Sequence, residues 1–164
     1  MIFLPKLITG QALCVCSKTL KDCQMAKIDF KRVEGQELSD REISFLEAAS
    51  AAMGGYLSLE MARIQEAAGA GAFYSCFADN ALTGCLFLNI RVTHLGKSLS
   101  LLLLGGDGFK EWSSSLVEFL YGIAEENKAD VFTVVGRKGW GKMFKELEHM
   151  GCIYQKKLVV GPFE

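Results

Sequence analysis

Apolar and polar side chains alternate over residues 28–33, and apolar residues then recur at helical spacing. Ile28 and Phe30 alternate with charged neighbours, which predicts a half-buried strand that ends at Gly35. Ser39 followed by Glu42 is the pattern of a capping box, which begins a helix. The pattern therefore predicts a strand followed by a helix.

Two stripes at helical spacing follow, apolar except for Ser50, and glycines separate them. The first stripe comprises Ile43, Leu46, Ser50 and Met53, and the second comprises Leu57, Met61, Ile64 and Ala68. Because the first ends at Gly54-Gly55 and the second at Gly69, we expect two short amphipathic helices with a hinge between them.

The middle of the chain is rich in aromatic and branched residues, with turn residues between the runs. Asp79-Asn80 separates "AFYSCFA" from "ALTGCLFLNIRV", which predicts a hairpin. "THLGK" supplies a second turn before a strand over residues 98–104, so three strands should form an antiparallel meander.

The last third of the chain predicts helices alternating with strands. An apolar helical face comprises Trp112, Leu116, Phe119, Leu120 and Ile123, and a later one comprises Trp140, Met143, Phe144, Leu147 and Met150. Between them, "DVFTVV" is a short strand that should run parallel to the strand before the first of these helices. Gly151 is the expected cap of the last helix, and "IYQKKLVV" is a closing strand.

Composition is that of an ordered globular protein, since half of the 164 residues are apolar. Lysine and arginine (18) nearly balance aspartate and glutamate (19), so no global field attracts nucleic acid or an anionic membrane. No apolar run approaches the ~18 residues of a membrane span. The sequence therefore favours neither nucleic-acid nor membrane partners.

Residues 1–24 differ from the rest, because an ordinary protein start, "MAKIDFKRVEG", begins at Met25. We expect residues 1–24 to be an appended N-terminal arm or an over-long start, followed by one domain over residues 25–164; the alternative is a genuine strand at residues 12–16. The arm lacks a clear cleavage site, so secretion is not expected.

Cysteine and histidine are too scattered to predict a metal centre. The six cysteines form no C-x-x-C pair, and neither His94 nor His149 stands beside a cysteine cluster. Cys76 and Cys85 fall within apolar strand patterns, where we expect buried thiols in a reducing compartment.

The predicted order of elements resembles that of the GNAT N-acetyltransferase superfamily. "GGDGFKEW" and "GRKGW" are similar, more closely, to segments of small GNAT-like proteins encoded by tailed bacteriophages, and the resemblance covers residues 27–160. It implies a single α+β domain with a central mixed, mostly antiparallel sheet flanked by about four helices. It also implies a location in the host cytoplasm, the virion, or both.

In that family the fourth strand and the turn after it hold acyl-CoA. Carried onto this chain, the resemblance implies a cofactor site made of Leu102, Leu103, Leu104, Gly105, Gly106, Gly108 and Phe109. The usual Gln or Arg three residues before a suitable glycine is missing. Asp107 would place a carboxylate beside the diphosphate of a bound acyl-CoA. It is also a suitable helix N-cap. We therefore expect Asp107 to cap the helix and no cofactor to bind, with acetyl-CoA as the alternative.

A second departure concerns proton transfer. "LEHMGC" resembles the segment in which many GNAT enzymes carry a tyrosine proton donor, and Leu147 stands at that position. Tyr154 is a weak substitute, and Tyr121 or Tyr74 could donate only if the fold brings them near. Glu60, Glu66 and Asp79 are candidate bases by location alone, and the favoured interpretation of each is a solvated surface carboxylate.

Arg137 and Lys138 follow a predicted parallel strand, at the edge where open sheets hold ligands. In one interpretation Arg137 and Lys138 contact an anion or a partner. In the other they are solvated charges at the start of a helix that Trp140 anchors.

Two functions remain open. The favoured one is a catalytically degenerate GNAT-like structural or interaction component of a phage particle, with other virion proteins or further copies of itself as partners. The alternative is an active acetyl-CoA-dependent N-acyltransferase, whose amine substrate the sequence does not indicate.

Overall fold

The computed structural model describes residues 26–136, 140, 148–150 and 153–157. Within them the strands are β1 (Ile28–Val33), β2 (Gly71–Ala78), β3 (Ala81–Thr93), β4 (Gly96–Gly106), β5 (Val131–Val135), β6 (Glu148–Met150) and β7 (Ile153–Lys157). The helices are α1 (Asp40–Ala52), α2 (Leu59–Ala67) and α3 (Phe109–Glu126). The arm predicted at residues 1–24 lies outside the described residues.

One seven-stranded sheet joins the strands in the order β1-β2-β3-β4-β5-β7-β6. Only β4 and β5 pair in parallel among the described strands, and every other neighbouring pair is antiparallel. This confirms the predicted mixed, mostly antiparallel sheet. No helix in the described part of the chain is long and apolar enough to cross a membrane.

Local turn chemistry sets the meander from β2 to β4. Asp79 and Asn80 have φ of 48° and 67°, and they join Ala78 to Ala81 in a two-residue hairpin. Asparagine and aspartate tolerate this left-handed conformation better than most side chains, which is why the sequence predicted the turn correctly.

The core lies on both faces of the sheet. On one face α3 buries Trp112, Leu116 and Leu120 against β3, β4 and β5. On the other face α1 and α2 cover a cluster that includes Phe73 and Phe87. Cys76 and Cys85 are both fully buried free thiols, as expected.

The predicted apolar face of α2 is wrong at Met61 and Ile64, although Leu57, just before the helix, is buried as predicted. Met61 and Ile64 are 48% and 54% exposed, whereas Leu59 and Ala62 are buried. Both pairs are spaced three apart on the same helix, so periodicity alone does not decide which pair faces the sheet. The hinge before α2 is confirmed, since Met53 ends α1 and Ser58 caps α2.

The last predicted helix is wrong at its end, because residues 148–150 form β6 and pair with β7. Residues 141–147 of that prediction, and Gly151, lie outside the described residues. Three helices, rather than about four, therefore flank the sheet in the part that the structure describes.

Candidate functional site

Strands β4 and β5 pair at only one end of β4. Their parallel register runs from Ser98 opposite Val131 to Leu101 opposite Val134, while β4 continues to Gly106. Along residues 102–106, β4 therefore has one edge without a strand partner among the described strands. Backbone N–H and C=O groups on such an edge can bind an extended ligand.

A bulge in β4 coincides with this separation. On β3, Phe87 lies opposite Leu103 and Leu88 lies opposite Leu101, so Leu102 is the extra residue. Leu102 and Leu103 consequently both pack in the α1–α2 cluster instead of alternating between the two faces. A bulge increases local twist and bends a strand, which accounts for the divergence of β4 from its neighbour.

A cleft of about 550 Å³ opens at this end of β4. Its walls come from α1 (Phe45, Ala48, Ala49), the end of β4 and the following turn (Leu104, Gly105, Gly106, Asp107), the start of α3 (Phe109), and Trp140. The structure thus brings together part of the predicted cofactor site, namely Leu104, Gly105, Gly106 and Phe109. Leu102 and Leu103 are core residues and do not line the cleft.

Gly105 allows α1 to approach β4 closely. A Cβ atom at this position would overlap the backbone carbonyl of Phe45. The close approach places the α1 side chains Phe45 and Ala48 along the cleft, and no larger residue than glycine fits between the two backbones.

The N-terminus of α3 faces the cleft without a side-chain cap. Its N-cap is Gly108, which has φ 59° and ψ 29° and no side chain that could accept a hydrogen bond. The predicted Asp107 cap is therefore wrong. The amides of Phe109 and Lys110 precede the first intrahelical bonds, and no side chain in the described residues accepts from them.

Asp107 is held by three other groups. Its backbone N–H donates to the Thr83 carbonyl (2.7 Å), and its own carbonyl accepts from the Trp112 indole Nε1–H (2.8 Å). Its carboxylate Oδ2 accepts from Arg41 Nη2 of α1 at 3.2 Å. The Asp107 side chain is therefore turned toward α1 and away from the helix amides.

The mouth of the cleft consequently carries mixed charge. Arg41 also lies over the Phe45 ring, 5.5 Å from its centroid, and both members of the Arg41–Asp107 pair are more than half exposed. Such exposed pairs are weak, so Arg41 can exchange its carboxylate partner for another anion. The uncapped helix N-terminus adds a positive partial charge at the same place.

A buried carboxylate fixes α1 to the sheet beside the cleft. Glu42 accepts from the Ser39 backbone N–H (2.7 Å), from the Ser39 hydroxyl (2.7 Å) and from the Ser75 hydroxyl of β2. Burial raises the pKa of Glu42, but these three hydrogen bonds outweigh it and leave the pKa below its usual value. The capping box predicted from Ser39 and Glu42 is confirmed.

Cys85 is fully buried and does not line the cleft. Burial, and secondarily the neighbouring Glu42 carboxylate, raise the pKa of its thiol to about 12, so it remains protonated at neutral pH.

None of the candidate proton donors and bases described below lines the cleft. Glu66 accepts from the Gly35 amide (2.8 Å), Asp79 accepts from the Lys27 amide (2.9 Å), and Glu60 is exposed in the first turn of α2. Tyr74 packs edge-on against Phe119, and Tyr121 of α3 lies against Phe132 of β5. Asp107 is the one ionisable residue among the described residues that line the cleft.

Tyr154 lies in β7 opposite Val134, the last β5 residue that pairs with β4. Its backbone is therefore level with the point where β4 and β5 separate. Its role as proton donor remains a prediction. Arg137, Lys138 and Leu147 lie outside the described residues.

Comparison with known proteins shows the fold. No protein-family model matches the sequence, and no curated protein is significantly similar to it. Solved structures do match: a Bacillus subtilis acetyltransferase in complex with CoA has a TM-score of 0.59 at 13% identity, over 81% of this chain and all of that one. The PaiA N-acetyltransferase of Thermoplasma acidophilum, in complex with coenzyme A, has a TM-score of 0.57 at 16% identity, over 80% of this chain and 99% of that one.

A GNAT family acetyltransferase from Elizabethkingia anophelis, with acetyl-CoA bound, has a TM-score of 0.55 at 11% identity, over 80% of this chain and 98% of that one. The chain therefore has the fold of the GNAT acetyltransferases. Identities this low establish the fold alone, so activity has to be argued from the cleft.

Proposed function

We propose that this protein binds an acyl-CoA thioester in the cleft between α1, β4 and α3 and transfers the acyl group to an amine. The observation that carries the proposal is the uncapped N-terminus of α3 beside an edge of β4 that has no partner among the described strands. The sequence favoured a degenerate site because Asp107 was expected to occupy those amides, and its carboxylate is bonded to Arg41 instead.

Two parts of CoA, the pantetheine amides and the diphosphate, have counterparts of suitable chemistry. The amide groups of pantetheine suit the open edge of β4 at residues 102–106, where they can bond as an added strand would. The diphosphate suits the amides of Phe109 and Lys110, because a helix N-terminus combines N–H donors with positive potential. Arg41 adds a cation when it leaves Asp107 for the ligand.

The transfer itself would rest mainly on positioning. The amine nitrogen bonds to the thioester carbonyl carbon, the carbon–sulfur bond breaks, and the thiolate takes a proton while the amine loses one. Holding both reactants in contact can lower the barrier by roughly 7 kcal/mol or more in favourable cases, so an enzyme of this fold does not need a strong acid. Tyr154 of β7 remains the candidate donor.

Calorimetric titration with acetyl-CoA tests the binding step. We expect a micromolar dissociation constant for the unaltered protein. Asp107→Asn should tighten binding several-fold because it removes a like charge and releases Arg41, whereas Arg41→Gln should weaken it.

Two controls change the same charges elsewhere. Asp40 lies beside Arg41 in α1 but does not line the cleft, so Asp40→Asn is the control for Asp107→Asn. Lys31 lies in β1, and Lys31→Gln is the control for Arg41→Gln. Equal effects of Asp40→Asn and Asp107→Asn would show that only net charge matters, which would contradict a diphosphate at the α3 N-terminus.

The second candidate is a binding or structural component without transfer. It is favoured by the absence of an ionisable cleft residue other than Asp107 within the described part of the chain. Release of CoA thiol from acetyl-CoA in the presence of a panel of amines separates the two: binding without thiol release supports the structural role. The phage origin remains a prediction from the sequence, and detection of the chain in purified particles would test it.

A further inference from the structure

A second cavity, of about 340 Å³, lies beside the C-terminal end of α3, on the face of the sheet that α3 covers. Residues 69–72, which lead into and begin β2, are all glycine or alanine and line the cavity together with Leu88 and Ile90 of β3. It shares no lining residue with the cleft at the other end of α3. Its volume falls within the usual range of small-molecule sites.

Arg32 and Tyr74 project into this cavity from neighbouring strands. Arg32 lies opposite Tyr74 in the β1–β2 register, and it shares a face of β1 with Phe30. Phe30 stacks on Phe119 of α3 at 4.4 Å, and the Tyr74 ring packs edge-on against the same Phe119 at 5.1 Å. These contacts set the direction of both polar side chains toward α3.

Glu126 also lines the cavity, from α3. It is the last residue of α3, where the helix carbonyls add negative partial charge. Burial raises the pKa of the Tyr74 hydroxyl, while the Arg32 charge lowers it and the Glu126 charge raises it, so both charges act on the same hydroxyl. No ion pair joins Arg32 to Glu126 among the described residues.

Opposite charges therefore flank one cavity without neutralising each other directly. We propose that the cavity binds a small zwitterion of amino-acid size. Its carboxylate would bond to the Arg32 guanidinium, which offers paired N–H donors. Its ammonium group would lie at Glu126 and the C-terminal end of α3, and the Tyr74 hydroxyl would bond to either group. A simple anion or a simple cation would leave one of the two protein charges without a partner.

Calorimetric titration of the full chain with β-alanine and γ-aminobutyrate tests this site, because the two probes differ only in the spacing of their charges. At least one should bind at millimolar concentration or below, and acetate and ethylammonium should bind more weakly. Arg32→Gln and Glu126→Gln should each weaken binding by about tenfold or more, the usual effect of losing a hydrogen bond to a charged group. Tyr74→Phe should weaken binding less and retain the ring contact with Phe119.

Matched controls lie one residue away. Lys31→Gln removes a charge from the opposite face of β1, and Glu125→Gln removes one from α3 outside the cavity lining. Neither should change the affinity. The proposal is overturned if neither zwitterion binds, if acetate binds as tightly as β-alanine, or if the controls weaken binding as much as Arg32→Gln. No acetyl-CoA enters this experiment, so its result is independent of the proposed acyl transfer.

Discussion

The absence of a side chain at Gly105 lets α1 approach β4 closely, and this close approach sets the shape of the cleft. Gly105→Ala would drive a methyl group into the Phe45 carbonyl, so α1 or β4 has to move. We expect a loss of about 1–3 kcal/mol in the free energy of unfolding, the usual cost of overpacking. Urea unfolding measures it, and acetyl-CoA affinity should fall in the same variant because Phe45 and Ala48 would shift.

Gly122→Ala is the matched control for Gly105→Ala. Gly122 lies inside α3 with no atom within 4 Å of an added Cβ. Alanine is the better helix former, so this variant should be more stable by about 0.5–1 kcal/mol. A loss of stability at Gly122, or none at Gly105, would contradict the packing described for these two positions.

Asp107 shows why residue-level prediction of the site failed. Its position just before a helix satisfies the local rule for an N-cap. The partner that decides its orientation is Arg41, 66 residues earlier in the chain, and Trp112 holds the Asp107 carbonyl. The local pattern contains neither contact, because both depend on how α1 and α3 meet at the end of β4.

Helix α1 depends on the ionised form of Glu42. Because the folded-state pKa of Glu42 lies below its usual value in an unfolded chain, the carboxylate contributes stability above the unfolded-state pKa, and the contribution is lost as the pH falls through the folded-state pKa. Glu42→Gln should lower the free energy of unfolding at pH 7 by about 1–3 kcal/mol, since it removes hydrogen bonds to a buried charged acceptor.

The pH dependence distinguishes stabilisation by the Glu42 charge from stabilisation by packing of the Glu42 side chain. The difference between Glu42→Gln and the unaltered protein should shrink when urea unfolding is repeated at pH values below the folded-state pKa. Glu47→Gln, on the exposed side of the same helix, should change stability little at either pH. A constant difference for Glu42→Gln at all pH values would show that the charge is not what stabilises α1.

Elements were predicted correctly where the residues that determine them are neighbours in the sequence. The Asp79-Asn80 hairpin and the Ser39–Glu42 cap depend on neighbouring residues, and both are confirmed. The buried face of α2 depends on the sheet beneath it, and β6 depends on pairing with β7. Neither dependence is visible in a local periodicity, which explains the two errors.

The cleft is a property of the whole molecule, because α1, β4 and α3 each supply only one wall. A ligand that contacts all three walls binds the folded chain and not the unfolded one. Acetyl-CoA at about 100 times its dissociation constant should therefore raise the free energy of unfolding by about 2.7 kcal/mol. Thermal unfolding with and without acetyl-CoA measures the shift, and an unchanged midpoint at saturating ligand would contradict binding to the folded state.

The most direct test of the account observes the backbone amides at the start of α3. In amide proton–nitrogen NMR spectra recorded while CoA is added, the signals of Gly108, Phe109 and Lys110 should shift the most. Dephospho-CoA, which retains the diphosphate, should shift the same signals, and pantetheine, which lacks it, should not. Saturable binding that leaves these amides unchanged, or no binding at millimolar CoA, would contradict the claim that this helix N-terminus is open to a diphosphate.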